Sequence, residues 1–133
     1  MSLLQQLNIR DRFARENGIQ LTEAENGTAT ATLTVEERHL NGGDVCQGGA
    51  IFTLADLVIA AIVNQRENMT LGISACVYFH SSAQKGDTLT ATGRMLNDHP
   101  KIPAVEVIVT NQDGKHIATA TGQAYTRRAP NPF

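Results

Sequence analysis

The stretch from Ala50 to Val63 constrains the fold of this chain more than any other segment. Its 14 residues are apolar on every side of a helix, and Asp56 is the only charged residue among them. A helix that is apolar all round must be buried all round, and 14 residues are too few to cross a bilayer. We therefore expect a helix over about Gly49–Asn64 that lies almost fully buried inside a globular fold.

The segments on either side of this helix are typical of β-strands. Asn26-Gly27 joins two of them, and this kind of dipeptide is the strongest short signal for a hairpin. A polar, glycine-rich loop over Glu36–Gly49 leads into the helix. The other predicted elements are a helix over Leu3–Arg15 and strands over Ile19–Glu25, Thr28–Val35, Leu71–His80, Asp87–Leu96, Ala104–Asn111 and Lys115–Arg127. The tail Pro130–Phe133 is predicted to be a loose end.

Runs of strands around one buried helix predict an α+β fold, with an antiparallel sheet of five or six strands wrapped around the central helix. The 133 residues suit a single domain, residues 1–133, with a single core. One such layer leaves part of the helix and part of the sheet uncovered. We therefore expect a homodimer, paired again into a homotetramer.

Composition argues against several classes of partner. Hydrophobic residues make up 41% of the chain and charged residues 18%, which is ordinary for a globular protein. The net charge is -2 and no basic block is present, so we expect no nucleic-acid partner. The N-terminal segment has no unbroken apolar run, so we expect no signal peptide and no membrane anchor. Cys46 and Cys76 show neither metal-ligand spacing nor disulfide density, which indicates a cytoplasmic protein without a metal or other cofactor.

Asp56 is the residue of this segment that is best suited to take part in a reaction. Aspartate is a poor residue for a helix interior, and a buried carboxylate is costly unless something pairs with it. Burial also raises a carboxyl pKa, and groups with shifted pKa values cluster at functional sites. Asp56 is therefore a candidate catalytic group. A structural role, with the carboxylate bonded to a loop N–H or exposed at an interface, is the alternative.

The entry to the central helix is a second candidate site. Gln47-Gly48-Gly49 carries no bulky side chain at its two glycines, so backbone N–H groups can approach a ligand there, and the helix dipole favours a developing oxyanion. Gly48 and Asp56 are eight residues apart, which places them about 12 Å apart along one helix. Contacts of about 3 Å to one reacting carbonyl would therefore require the two residues to come from different subunits. A plain glycine-rich helix entry is the alternative.

These motifs, taken with their spacing, resemble a known family. His39-Leu40-Asn41-Gly42, Cys46-Gln47-Gly48-Gly49 and Phe52-Thr53-Leu54-Ala55-Asp56 are similar to the signature of the PaaI-type hotdog thioesterases, the phenylacetate-degradation family. Strand segments extend the match, and the similarity covers roughly residues 18–125. The resemblance implies a hotdog fold and an acyl-CoA thioesterase that converts an aryl-acetyl- or medium-chain acyl-CoA to the free acid and CoA.

The resemblance also implies four catalytic residues. The carboxylate of the family, a base or nucleophile, falls on Asp56, and the glycine whose N–H polarises the thioester carbonyl falls on Gly48. Asn41 occupies the polar loop position beside that carbonyl. Ser74 occupies the position of a serine that helps to hold the attacking water. In related enzymes the carboxylate and serine come from one subunit and the asparagine and glycine from the other, which agrees with the 12 Å separation.

Substrate-binding roles are implied for Gln47, Gly49 and His39. The family usually has a histidine where this chain has Gln47, and glutamine can hydrogen-bond but cannot shuttle a proton near neutral pH. The segment His80–Gly86 also lacks the arginine-proline often found there. A non-catalytic acyl-CoA-binding hotdog protein is therefore the main alternative function. A hotdog dehydratase is a further one, although it would need a histidine paired with a carboxylate across the site.

Overall fold

The computed structural model describes residues 1–133 and contains three α-helices and six β-strands. Its first helices are short, and a turn of 3-10 helix over Glu37–His39 precedes the long third one. The elements are α1 (Leu3–Arg10), α2 (Arg12–Glu16), β1 (Gln20–Glu25), β2 (Thr28–Thr34), α3 (Gly48–Val63), β3 (Asn68–Phe79), β4 (Thr88–Asn97), β5 (Ala104–Thr110) and β6 (His116–Pro130). None of the helices has the length and apolar content needed to cross a membrane.

The six strands form one antiparallel sheet in the order β1-β2-β4-β5-β6-β3. This confirms the α+β hotdog architecture, in which the sheet curls around α3. The hairpin signal is also confirmed, because Asn26 and Gly27 adopt φ angles of 55° and 77°, as a tight two-residue turn between twisted strands requires. β1 and β3 are the two edge strands of the sheet.

The sheet and α3 pack closely because two strand positions facing the helix are glycines. A Cβ at Gly93 would lie 2.7 Å from Val58 Cγ1, and a Cβ at Gly122 would lie 2.8 Å from Ile59 Cδ1. Neither separation is compatible with a side chain at the glycine. The strands around them bury alternate residues against α3, for example Val105, Val107 and Val109 of β5, as expected for a sheet with one covered face.

The burial of α3 differs from the prediction. Nine of its 16 residues are buried, but Gly49 and Asp56 are exposed and Thr53 and Ala60 are half-buried. These four residues are three or four positions apart, so they form one strip along the helix, which we call the open strip. The sheet covers one side of α3. On the other side the α1–α2 segment and the C-terminal tail border the open strip but do not bury it.

The N-terminal helix is also different, since the structure divides the predicted Leu3–Arg15 helix at Asp11. The Asp11 side chain accepts a hydrogen bond from the Ala14 N–H at 3.1 Å, which is how aspartate caps a new helix. The chain therefore changes direction at this residue. As a result, α1 and α2 can each pack against the core, through the buried side chains of Leu7 and Ala14.

Candidate active site

The carboxylate of Asp56 lies on the open strip of α3 and has no hydrogen-bond partner. It borders a cavity of about 470 Å³. Partial desolvation by the surrounding helix and cavity wall raises the pKa of Asp56, and the negative charge of Asp11, which borders the same cavity, raises it further. An unpaired carboxylate whose pKa lies above the ordinary aspartate range is suited to accept a proton from a substrate or water.

The walls of this cavity come from four parts of the chain. Ile59 and Val63 of α3 form the wall beside Asp56, and Met69 and Leu71 of β3 form the next. The remaining walls come from the α1–α2 segment and from the C-terminal tail. Apart from the charged residues of the α1–α2 segment, the lining is mostly apolar. The cavity is therefore suited to an apolar group attached to a reacting centre at Asp56.

The first turn of α3 leaves one backbone donor free. The Gly49 N–H is taken by Oε1 of Gln47, which caps the helix, and the Ala50 and Ile51 N–H groups bond to the Gln47 carbonyl at 3.0 and 3.4 Å. The Gly48 N–H has no protein acceptor. A free N–H at the positive end of a 16-residue helix is suited to bind an oxyanion.

His39, Gln47 and Gly49 border a second cavity of about 370 Å³, so the structure brings the three predicted substrate-binding residues together. His39, however, is 3% exposed. Its Nδ1 accepts from the Glu36 N–H at 2.9 Å, and its Nε2 lies 2.8 Å from the Asn17 carbonyl. No ring nitrogen is left for a substrate, and the side chain instead holds the loop before α3 in place.

Asn41 lies in the exposed loop before α3. Its Oδ1 accepts hydrogen bonds from the Gly43 and Val45 N–H groups at 2.8 and 3.3 Å, so the carbonyl end of the side chain shapes the loop. The Nδ2 group makes no hydrogen bond within the chain. Asn41 therefore offers an amide donor to a ligand while its other end fixes the loop geometry.

Ser74 is exposed on β3, next to an irregularity in the pairing with β6 where the register shifts between Gly72 and Ser74. It borders a third depression, of about 350 Å³, together with Gln123. Within one chain, therefore, Ser74 does not share the cavity of Asp56. The seven predicted residues fall into separate groups: Asp56 alone; His39 with Gln47 and Gly49, next to Gly48 at the start of α3; Asn41 in the exposed loop; and Ser74 on β3.

Sequence reasoning missed the residues that complete the Asp56 cavity, among them Asp11, Met69 and Phe133. Asp11 carries a weak signal, because aspartate three residues before Ala14 is a helix-cap pattern. Phe133 carries none, since no local pattern links a C-terminal residue to α1. No group of three or more histidine, cysteine, aspartate or glutamate side chains is arranged to hold a metal ion.

Comparison with known proteins yields consistent matches. The sequence model described as "Thioesterase superfamily" matches residues 43–118. A protein of Archaeoglobus fulgidus assigned as an esterase is 33% identical over 106 residues, which are 80% of this chain and 69% of that protein. The acyl-coenzyme A thioesterase PaaI of Escherichia coli is 30% identical over 115 residues, which are 86% of this chain and 82% of that protein.

Two solved structures extend this comparison. The structure of Escherichia coli PaaI superimposes with a TM-score of 0.89 at 26% identity, covering 97% of this chain and 99% of that one. The smu.793 protein of Streptococcus mutans, solved with bound acetyl-CoA, superimposes with a TM-score of 0.78 at 28% identity, covering 82% of this chain and 88% of that one.

Proposed function

The chain belongs to the thioesterase superfamily, and we propose that it hydrolyses an aryl-acetyl- or medium-chain acyl-CoA to the free acid and CoA. The observation that carries this proposal is the unpaired, partly desolvated carboxylate of Asp56 on the same helix whose first N–H, that of Gly48, is also free. The name of the Escherichia coli relative and the acetyl-CoA held by the Streptococcus mutans neighbour support the choice of an acyl-CoA substrate.

In the proposed reaction, Asp56 removes a proton from a water molecule as that water attacks the thioester carbon, or attacks the carbon itself to form an anhydride that water then opens. The carbonyl oxygen becomes an oxyanion, and the Gly48 N–H and the dipole of α3 stabilise it. Collapse of this intermediate breaks the C–S bond, and the CoA thiolate leaves. It takes the proton from Asp56 in the water route and a proton from solvent in the anhydride route. The raised pKa of Asp56 makes it a stronger base than an ordinary aspartate.

The other predicted residues take supporting roles. Nδ2 of Asn41 orients the carbonyl or the water. Ser74 lies two residues after Gly72, which borders the Asp56 cavity, and positions the water with Asp56 of the same subunit. Nε2 of Gln47 is free to donate to the substrate because only Oε1 is used in the cap. Gly49 leaves room for the ligand. His39 keeps the loop before α3 in position through its bonds to the Glu36 N–H and the Asn17 carbonyl.

A complete site needs two subunits in this proposal, because Gly48 and Asp56 of one helix cannot reach the same carbonyl. Two features support a homodimer. The open strip of α3 lacks a cover, and the 12-residue edge strand β3 exposes Ile73, Tyr78 and Phe79, whereas long apolar edges are normally covered. Leu96 and Ile102 are exposed elsewhere and support a second contact that pairs two dimers into a homotetramer.

The decisive experiment is the substitution Asp56→Asn, which keeps the shape of the side chain and removes the base. We expect kcat to fall about 10²–10⁴-fold, the usual contribution of a general base, with the assembly intact by sedimentation. Asp113→Asn, the same chemical change in the exposed turn after β5, is the matched control and should retain activity. Near wild-type turnover in Asp56→Asn would make the carboxylate structural and refute the assignment.

The alternative of a non-catalytic acyl-CoA-binding protein follows from Gln47, since this side chain cannot carry a proton as histidine can. A thiol-release assay with a panel of acyl-CoAs, run beside a binding measurement by calorimetry, separates the two functions. Release of CoA from any member of the panel at a rate lost in Asp56→Asn supports the enzyme. Binding without release supports the alternative.

The location that fits this function is the cytoplasm, where CoA esters are metabolised in a reducing environment. Cys46 and Cys76 are both free in the structure, which supports this location because extracellular proteins tend to pair their cysteines.

A further inference from the structure

The C-terminal tail is anchored to the end of α3. Nδ2 of Asn131 donates to the carbonyls of Asn64 and Arg66 at 2.8 and 3.0 Å, and the Asn131 N–H donates to the Glu67 carbonyl at 2.8 Å. These three bonds hold the tail against the residues that link α3 to β3. The predicted loose end is therefore wrong, because the tail is tied to this link.

Beyond this anchor, the tail is clasped by α1. Nε2 of Gln6 donates to the Phe133 carbonyl at 2.9 Å, and Nη1 of Arg10 donates to the Pro132 carbonyl at 3.0 Å. The guanidinium carbon of Arg10 also lies 5.1 Å from the centroid of the Phe133 ring, within the range of a cation–π contact. Gln6 thus holds the backbone of Phe133, and Arg10 holds its ring.

The clasped tail forms a wall of the cavity that contains Asp56. Pro132 and Phe133 border this cavity of about 470 Å³, as do Leu7 of α1 and Met69 and Leu71 of β3. The cavity therefore has a carboxylate in one wall and an apolar ring in another. The second cavity, which contains Gln47 and Gly49, is smaller and does not include Asp56.

We propose that this cavity receives the acyl group of the substrate, and that the Phe133 ring, fixed by Arg10, is the wall that limits the length of that group. The inference rests on the proposed role of Asp56. If the thioester carbon lies within about 3 Å of that carboxylate, the acyl group attached to the carbon begins in this cavity, beside the apolar side chains that line it. The acyl chain of the substrate then extends from the thioester towards the C-terminal tail, and the Phe133 ring sets the length at which it stops.

The test is the profile of kcat/KM across straight-chain acyl-CoAs from acetyl to dodecanoyl. Phe133→Ala removes the wall, so we expect the optimum to move to a longer chain and the preference for the longer over the shorter substrate to rise about tenfold or more, as pocket discrimination per methylene allows. Arg10→Ala releases the ring and should shift the profile in the same direction by less. Ile9→Ala is the control, since Ile9 lies half-exposed on the same helix outside the cavity.

An active Phe133→Ala protein with the wild-type profile would overturn the inference. Two further variants provide the same readout if Phe133→Ala does not fold. Phe133→Leu keeps an apolar side chain but shortens the wall, and Arg10→Ala keeps the ring. Unchanged profiles in both variants would also overturn the inference. Asp56→Asn separates this outcome from failure of the proposed function. If Asp56→Asn loses turnover while the tail variants keep the wild-type profile, only the role of the Phe133 wall is refuted. If Asp56→Asn keeps full turnover, the catalytic role of the carboxylate is refuted.

Discussion

The ring of Phe79 lies directly against Gly48, so that a Cβ added at Gly48 would stand 2.9 Å from Phe79 Cζ. Phe79 is the last residue of β3, and Gly48 is the first residue of α3. The contact links the end of the edge strand to the backbone N–H that we assign to the oxyanion site. A side chain at this position would therefore displace the ring or the start of α3, and it would approach the ligand that the N–H would bind.

We expect Gly48→Ala to lower kcat at least tenfold, because either the ring or the helix start must move and the N–H then shifts from its position. The free energy of unfolding should fall by about 1 kcal/mol, since the strain of overpacking exceeds the gain in helix propensity. Kinetics and thermal unfolding measure the two effects. Gly42→Ala is the control, because a Cβ at Gly42 meets no atom within 4 Å; equal losses in both variants would argue against the role of the Phe79 contact.

Gln47 should prove important for the start of α3. Gln47→Ala removes the side-chain acceptor of the Gly49 N–H, and the loss of a helix cap of this kind costs about 1 kcal/mol. Chemical denaturation measures this loss. Gln47→Asn, which retains a shorter amide acceptor, should recover part of the stability, and an Ala variant as stable as wild type would show that the cap contributes nothing.

Gln47→His introduces the residue that the family resemblance implies at this position. Hydrolysis requires the carboxylate, the oxyanion donor and water, and none of these depends on Gln47. We therefore expect the wild-type protein to be active and the Gln47→His variant to differ from it only modestly in rate. The pH dependence of kcat/KM should gain a component near pH 6 to 7, where a histidine titrates. If wild type binds acyl-CoAs without hydrolysing them and Gln47→His restores turnover, the chain is a binding protein.

The pH profile of the enzyme should respond to Asp11. Asp56 must be ionised to act, so kcat/KM falls as the pH drops through its raised pKa. Asp11→Asn removes a negative charge that raises this pKa, so the acid limb of the profile should move to lower pH. Arg10 and Arg12 border the same cavity and are the same in both proteins, so the comparison isolates the charge at position 11.

Asparagine at position 11 can still cap α2, as Asp11 does, so this variant should remain folded. A pH–rate profile of kcat/KM from pH 4 to 8 for both proteins provides the comparison. An acid limb that does not move, or that moves to higher pH, would contradict the arrangement of the two carboxyl groups.

The composite site can be tested by separating the subunits. Ile73→Asp places a charge on the edge strand β3, where the side chain is 58% exposed; it should convert the protein to monomers and abolish most activity. Thr22→Asp places the same charge on β1, the opposite edge of the sheet, and should do neither. Analytical ultracentrifugation and the thiol-release assay give both readouts, and a fully active monomer would refute the need for two subunits.

The order of the elements and the identity of the central helix could be read from the sequence because both depend on local patterns. The apolar run Ala50–Val63 can only be a core helix, and Asn26-Gly27 can only be a tight turn in this context. Asp56 stood out for the same reason, since a charge in an apolar helix is conspicuous without any knowledge of its neighbours. The Gln47-Gly48-Gly49 helix entry was equally visible.

What surrounds those residues was decided by the tertiary structure alone. Gln6 and Phe133 are 127 positions apart, and no local pattern announces a hydrogen bond between two segments that distant, so the tail that walls the Asp56 cavity resembled a loose end. His39 resembled a ligand-binding histidine until the fold placed the Glu36 N–H and the Asn17 carbonyl at its two ring nitrogens. A sequence determines which groups are chemically able to act, whereas packing determines which of them are left free to do so, because hydrogen-bonding capacity is consumed by whichever backbone groups the fold brings near.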